Sequence, residues 1–365
     1  MCWVKLGTKK STTFKVSNGT RQGSVLSPLL FSVYLDDLLI ELRQLQLGCH
    51  IGGYWYGGCG YADDIILLAP NREVLQRMVN VCQSYAEQNN LIFSTDPNPA
   101  LSKTKCILFC GRSGKVQYPA PVQPDGQNLP WVESAVHLGH TLHQLVNMDK
   151  DCTRARAKFI DRSVQLRQDL SFAKPDQVLQ AIQIFCSDAY GSMLWRLDSP
   201  TSEQFFKSWN TAVKLLYEVP RSTFTFLVEV HLAAGHVSLR NQIISRYPGF
   251  YRKRLESPSN EVRLLAKIGS VNSRSPTHSN LKCLEKLTGL HQPEFCTTSR
   301  LLEALPVKKV PECEKLTSSH PLNFIHGCLI THYLVAICKN LLSIFRQAAI
   351  AVLALGKNTT QERII

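Results

Sequence analysis

Acidic side chains are scarce in this chain. Asp and Glu number 28 against 41 Lys and Arg, a formal charge of +13 over 365 residues. The first 20 residues contain neither Asp nor Glu, which excludes carboxylate-based metal or acid–base chemistry in that segment. Long uncharged apolar runs are also lacking. The most apolar stretch, from Leu322 to Leu355, is interrupted by Lys339 and Arg346, so its uncharged runs fall short of the roughly 20 residues of a membrane-spanning helix. We read this stretch as a buried helical hairpin. Met1-Cys2-Trp3-Val4-Lys5 is followed by lysines and threonines instead of an apolar core segment, so the pattern of a secretory leader is missing. The expectation is an intracellular protein, cytoplasmic or nuclear, with no membrane partner. The 13 cysteines are odd in number and scattered, which excludes a disulfide framework and suits reduced thiols. No internal repeat is visible.

A hydrophobic content of 44% argues against disorder, and the length allows two or three domains with a sizeable core. The basic surplus is uneven. Residues 1–148 carry 12 basic and 10 acidic side chains, 149–270 carry 18 and 12, and 271–365 carry 11 and 6. The excess therefore sits downstream, where an anionic partner such as nucleic acid would be gripped. From Asp149 to Leu170, Arg154, Lys158 and Arg162 recur at i, i+4 and i+8, which puts three cations on one helical face. That face either follows a phosphate backbone or is simply solvated, tempered by Asp151, Asp161 and Asp169. A second basic cluster of Arg246, Arg252, Lys253 and Arg254 is interleaved with Tyr247, Phe250 and Tyr251. It reads as a helix whose aromatics face the core, with stacking on unpaired bases as the alternative.

Two tetrapeptides read Tyr-x-Asp-Asp. Tyr34-Leu35-Asp36-Asp37 lies within the repeat Phe31, Tyr34, Leu35, Leu38, Leu39 and Leu42, an amphipathic stripe that leaves both aspartates on the polar face. Tyr61-Ala62-Asp63-Asp64 follows Gly57, Gly58 and Gly60 and precedes the apolar run Ile65 to Ala69, closed by Pro70. It reads as a turn between two strands. Adjacent carboxylates on a hairpin suit a hard divalent ion, which takes one or two protein carboxylates and leaves other positions to water and phosphate oxygens. Upstream, Gly19 to Phe31 joins a strand-like piece, Thr12 to Val16, to the first helix, with Ser24 or Ser27 as N-cap and Pro28 in the first turn.

Four segments in order carry a resemblance. Arg21-Gln22-Gly23-Ser24-Val25-Leu26-Ser27-Pro28, Tyr61-Ala62-Asp63-Asp64, Leu101-Ser102-Lys103-Thr104-Lys105-Cys106-Ile107-Leu108-Phe109 and Val136-His137-Leu138-Gly139-His140-Thr141-Leu142 together resemble the palm of a reverse transcriptase of the non-LTR (LINE-type) retrotransposon class. The resemblance covers about residues 1 to 145. It implies an α+β fold, a partial reverse-transcriptase palm (antiparallel sheet with helices) over 1–148. A basic helical thumb-like region over 149–270 and a C-terminal helical region with an apolar hairpin over 271–365 would follow.

The implied activity is RNA-directed DNA polymerisation, with RNA template, DNA primer and dNTP as partners and Mg²⁺ or Mn²⁺ as cofactor. Asp63 and Asp64 would be catalytic metal ligands, and Lys103, or its neighbour Lys105, would protonate the leaving pyrophosphate. Arg21, Gln22 and Gly23 would meet template and nucleotide, Tyr61 the primer terminus, and Leu138 and Gly139 would grip the primer. Arg154, Lys158 and Arg162 would follow the duplex. The family places another metal-binding aspartate on an upstream strand, and the acid-free residues 1–20 do not supply it. The expectation is an N-terminally truncated family fragment that binds the metal weakly and is inactive alone. Its alternative is a non-enzymatic nucleic-acid-binding remnant or a partner that docks on a complete polymerase.

The remaining pattern reads as a strand pair over 1–20, a helix over 24–46, a hairpin over 49–69 and a helix from Asn71 to Asn90. In that second helix Val74, Leu75, Met78, Val79, Cys82 and Tyr85 point inward. A loop runs from Gly111 to Pro130. Helices follow from 149, broken at Pro175, Pro200, Pro220 and Pro258, and residues 270–320 form a looser connection. Cys283, His291 and Cys296 have a spacing similar to part of a cysteine-rich motif of some LINE proteins. Without a fourth ligand they read as core residues on a helix carrying Leu281, Leu284 and Leu287.

Overall fold

The computed structural model describes Trp3 and residues 5–13, 25–96, 98, 101–110, 116–186, 189–232, 235–272 and 275–289, together with a strand at 347–356. Lys5–Leu6 (β1) and Lys9–Lys10 (β2) form a short hairpin. The expected strand from Thr12 has no counterpart in its described part, and the rest of it, like residues 21–24, lies outside the described residues.

Helix α1 (Ser27–Gln44) begins one turn later than the sequence pattern suggests. Its N-cap is Leu26, with no side-chain cap, and Ser27 is already helical. Pro28 makes this tolerable, because a proline in the first turn removes one of the N–H groups a cap would satisfy. Leu35, Leu38 and Leu42 are buried, while Asp36 and Asp37 are exposed on the opposite face, as the stripe requires.

The expected hairpin over 49–69 divides in two. His50–Ile51 (β3) turns through Gly52 and Gly53 into Tyr54–Trp55 (β4), and Gly58–Tyr61 (β5) turns into Asp64–Ala69 (β6). Gly48 and Gly57 permit the junction. Gly48 has φ +106°, and a Cβ there would collide with the Gly57 backbone.

Helix α2 (Arg72–Gln88) is capped by Asn71, whose side chain accepts from the Val74 N–H at 2.9 Å. Leu75, Met78, Val79, Cys82 and Tyr85 are buried as their spacing predicts, and Val74 packs partly against them. At about 1.5–3 kcal/mol for each large aliphatic side chain, this face outweighs the helix's modest intrinsic propensity.

Ile92–Phe93 (β7) and Lys105–Cys110 (β8) follow, then a hairpin of Ser134–His137 (β9) and His140–His143 (β10). The helical part comprises α3 (Asp149–Asp169), α4 (Pro175–Phe185), α5 (Pro200–Leu216), a short α6 (Thr225–Leu227) running into a π-turn, α7 (Leu239–Leu255), α8 (Asn260–Val271) and α9 (Pro276–Thr288). Prolines 175, 200 and 276 stand in first turns, where their missing N–H costs nothing, but Pro248 lies inside α7. Helix α9 corrects the expectation of a loose connection across that stretch. Ser275 caps it, accepting from the Thr277 N–H, and Leu284 is buried.

The largest departure is at the C-terminal end. Gln347–Gly356 is not part of a helical hairpin but a strand, β11; residues 322–346 lie outside the described residues. A short apolar run has no periodicity that separates strand from buried helix. Strand β11 lies antiparallel to β6 on one side and to β8 and β7 on the other, giving the order β5-β6-β11-β7 with β8 also on β11.

Both faces of this sheet are covered. Ile65, Leu67 and Ala69 of β6 and Cys106, Leu108 and Cys110 of β8 join the core under α1 and α2. Ile66, Leu68, Ile107 and Phe109 join the core of the helical part, with Phe159, Trp195, Phe205 and Trp209. Burial on both faces explains why these strands read as continuous apolar runs.

Candidate active site

The β5–β6 turn carries the second Tyr-x-Asp-Asp. Tyr61 pairs with Asp64 across a two-residue turn in which Ala62 has φ +50°, a left-handed conformation that costs a non-glycine residue about 1–2 kcal/mol. Strand alternation puts Asp64 on the same face as Ile66 and Leu68, the face that meets the helical part. Asp63 is exposed and Asp64 half-buried.

A cavity of about 460 Å³ opens beside Asp64 and is lined by Ser102, Lys103, Lys105, His137 and Thr141 among others. Burial pushes the Asp64 carboxyl above the usual carboxylate range; the charge of Asp63 adds to the rise and Lys103 opposes it. Ser102 fixes the approach of Lys103 to the pocket, since its hydroxyl donates to the Thr104 carbonyl at 2.6 Å. Thr104 is itself buried, and its N–H donates to the Ser94 carbonyl.

The opposite wall is the β9–β10 hairpin. Leu138 and Gly139 both have positive φ, +46° and +78°, the turn geometry that matches strand twist in two-residue hairpins. His137, next to the turn, is only 3% exposed, and its Nδ1 has no hydrogen-bond partner among the described residues. Burial lowers its pKa to about 4, with His140 contributing, so the ring is neutral near pH 7. The sequence reading passed over His137. The signal available was the His137-x-x-His140-x-x-His143 spacing, which does not reveal burial.

Behind the turn lies a network that the sequence reading also missed. Asp151 on α3 is 2% exposed. Its Oδ1 accepts from Arg154 at 2.7 Å and from the Thr141 N–H at 3.3 Å, and its Oδ2 accepts from Trp195 Nε1 at 3.2 Å and lies 3.4 Å from His140 Nδ1. Burial would push this carboxyl up, but the bonds from His140 and Trp195 and the charges of His140 and Arg154 hold it below the usual range. His140 stacks on Tyr190 with ring centroids 4.6 Å apart. Gly191 has φ +81°, and a Cβ there would collide with the His140 ring.

The helix predicted to grip phosphates is present, but its cations are not equivalent. Arg154 is turned inward, donating to Asp151 and to the Gly139 carbonyl, whereas Lys158 and Arg162 are exposed. In the second basic cluster Tyr247 and Tyr251 are buried, as the core reading expects, and so is Arg254, at 1% exposure. Cys283 lies on α9 and is partly buried; His291 and Cys296 lie outside the described residues, as do Arg21, Gln22 and Gly23. Among the described residues no three His, Cys, Asp or Glu side chains cluster as a metal site, and no helix is long and apolar enough to cross a membrane.

Residues 2–142 match the family model of reverse transcriptase (RNA-dependent DNA polymerase). The chain is 30% identical over 108 residues to a retrovirus-related Pol polyprotein from the type-1 retrotransposable element R2 of Nasonia vitripennis, covering 30% of this chain and 10% of that protein. It is 28% identical over 131 residues to a putative 115 kDa protein of the type-1 element R1DM of Drosophila melanogaster, covering 35% and 11%. A Pol polyprotein of the type-2 element R2DM from the same fly is 34% identical over 70 residues, covering 19% and 6%. The chain thus spans about a tenth or less of the length of these relatives.

Proposed function

We propose that this chain, whose residues 2–142 are a reverse-transcriptase segment of the non-LTR retrotransposon kind, binds an RNA template and DNA primer across a palm and a thumb-like helical region. In this reading the sheet with β5, β6 and β8 is the palm and α3 begins the thumb. The observation that carries it is the opening of the Asp63–Asp64 turn onto a cavity flanked by Lys103 and Lys105. The Asp64 carboxylate and the ammonium groups of Lys103 and Lys105 line it together, and no ion pair joins them among the described residues.

Asp63 and Asp64 would hold Mg²⁺ or Mn²⁺. The fit is partial: among the described residues the pair lacks hydrogen-bond donors and no third protein ligand stands nearby, while Asp64 is raised by burial, as suits a carboxylate poised for a cation. When bound, such an ion stabilises the charge that develops on transferring phosphate oxygens. Lys103 would donate a proton to the leaving pyrophosphate, with Lys105 beside it in the cavity lining. Tyr61, at the start of the turn, would seat the primer terminus. Leu138 and Gly139, at the tip of the β9–β10 hairpin, would grip the primer, and Lys158 and Arg162 would contact duplex phosphates while Arg154 braces the hairpin. Arg21, Gln22 and Gly23 keep their proposed role at the template and nucleotide.

With a single carboxylate pair, a polypeptide of residues 1–365 should bind the ion weakly and extend primers little or not at all. The second reading, a nucleic-acid-binding module without catalysis, is favoured by the lack of a third ligand among the described residues. Primer extension on an RNA template with Mg²⁺ or Mn²⁺, beside Asp63→Ala, separates the two. Extension lost in Asp63→Ala supports a self-sufficient enzyme. Salt-sensitive binding of primer–template without extension supports the binding module, and absence of both refutes the proposal.

A further inference from the structure

Strand β6, helix α2 and strands β7 and β8 form a split βαβ unit: β6 and β8 run parallel to each other with room for one strand between them. That place is filled from far downstream, because residues 111–346 separate β8 from β11. Register pairs run from Ala349↔Ala69 to Ala354↔Asp64 on one side and from Gln347↔Cys110 to Val352↔Lys105 on the other. Without such a strand, two rows of backbone N–H and C=O groups in a sheet buried on both faces would be unpaired, which folded proteins avoid.

Residues 347–356, Gln-Ala-Ala-Ile-Ala-Val-Leu-Ala-Leu-Gly, contain no charge and no proline. This composition suits a strand paired on both edges. It also lacks any acid, and the position opposite Asp64 is Ala354.

We propose that the slot between β6 and β8 is a strand-acceptor site, filled within one polypeptide by residues 347–356. Resident β11 closes the sheet next to Asp63 and Asp64 without adding a carboxylate, and it blocks any other extended segment from pairing there. The proposal does not depend on polymerase activity.

The register makes it testable in the full chain. Position 351 lies opposite the buried Cys106, and directly opposed residues have Cβ atoms about 4.5–5.5 Å apart, near disulfide reach. Ala351→Cys, mildly oxidised and mapped by mass spectrometry, should give a Cys106 link that Ile350→Cys does not. In a mixture of ¹⁵N-labelled and unlabelled chains the link should stay within one isotope. Equal linkage from 350 and 351, or none from 351, would overturn the register; mixed-isotope links would show the slot filled by a second copy and overturn filling in cis. A labelled peptide of residues 347–356 should bind an Ala351→Pro variant at least about tenfold more tightly than wild type. Equal binding to both, or binding to neither, would show that β11 is not holding an acceptor site. The cysteine measurement decides the matter should the proline variant not fold.

Discussion

Asp64 and Asp151 both lie on the β9–β10 hairpin's side of the sheet, and their surroundings treat them in opposite ways. Asp151 is the more buried, yet it is held below the usual carboxylate range because Arg154, Trp195, His140 and the Thr141 N–H converge on it. Asp64 is only half-buried, yet that burial raises it, the charge of Asp63 adds to the rise and Lys103 only partly offsets it. Burial alone does not separate a structural acid from a reactive one. The supply of donors does: a carboxylate that braces a fold arrives with its bonds made, and one poised for a ligand does not.

The sharpest way to break this contrast is to remove each acid. Asp151→Ala leaves Arg154, His140 and Trp195 without their common acceptor and should cost about 3–5 kcal/mol of stability, read by denaturant unfolding. Asp64→Ala should cost little by the same measurement. A comparable loss at Asp64 would mean that it too is structural.

His137 gives the next largest effect. Its folded pKa of about 4 lies below the unfolded 6.5, so the unfolded state binds the extra proton as pH falls through that window. Its contribution to stability is present above pH 6.5 and is lost as pH drops toward 4, by roughly 2–4 kcal/mol. Comparing the pH dependence of wild type and His137→Gln should show that slope reduced in the variant.

Ala62→Gly should stabilise the turn by about 1 kcal/mol, since glycine takes φ +50° without strain. A destabilisation would mean that the Ala62 methyl makes compensating contacts. Smallest is Asp64→Asn. The raised folded pKa means that ionised Asp64 opposes folding once pH exceeds its unfolded value, so the amide should be slightly more stable than wild type at pH 7. That gain should vanish below about pH 4, where the acid is protonated in both states.

The same contrast marks how far the sequence could be read. The Tyr61-Ala62-Asp63-Asp64 turn, α1, α2 and α3 were legible because their periods and turn residues act locally. Asp151 was legible only as a negative charge on the face of Arg154, Lys158 and Arg162; its burial depends on Trp195 and His140, which no local pattern joins. This removes Arg154 from the free cationic face and leaves Lys158 and Arg162. Strand β11 was misread as helix because its ten residues carry no period, and its partners, β6 and β8, are far upstream. The neutral His137 ring was invisible for the same reason, since its pocket is assembled from three separate segments.

A Mn²⁺ titration of the full chain, followed by electron paramagnetic resonance, in wild type, Asp63→Asn, Asp64→Asn and Asp151→Asn should show weak binding that falls about tenfold or more in each hairpin variant and is unchanged in Asp151→Asn. Binding that survives in both hairpin variants, or is lost with Asp151, would mean that the hairpin carboxylates are not the cation's ligands.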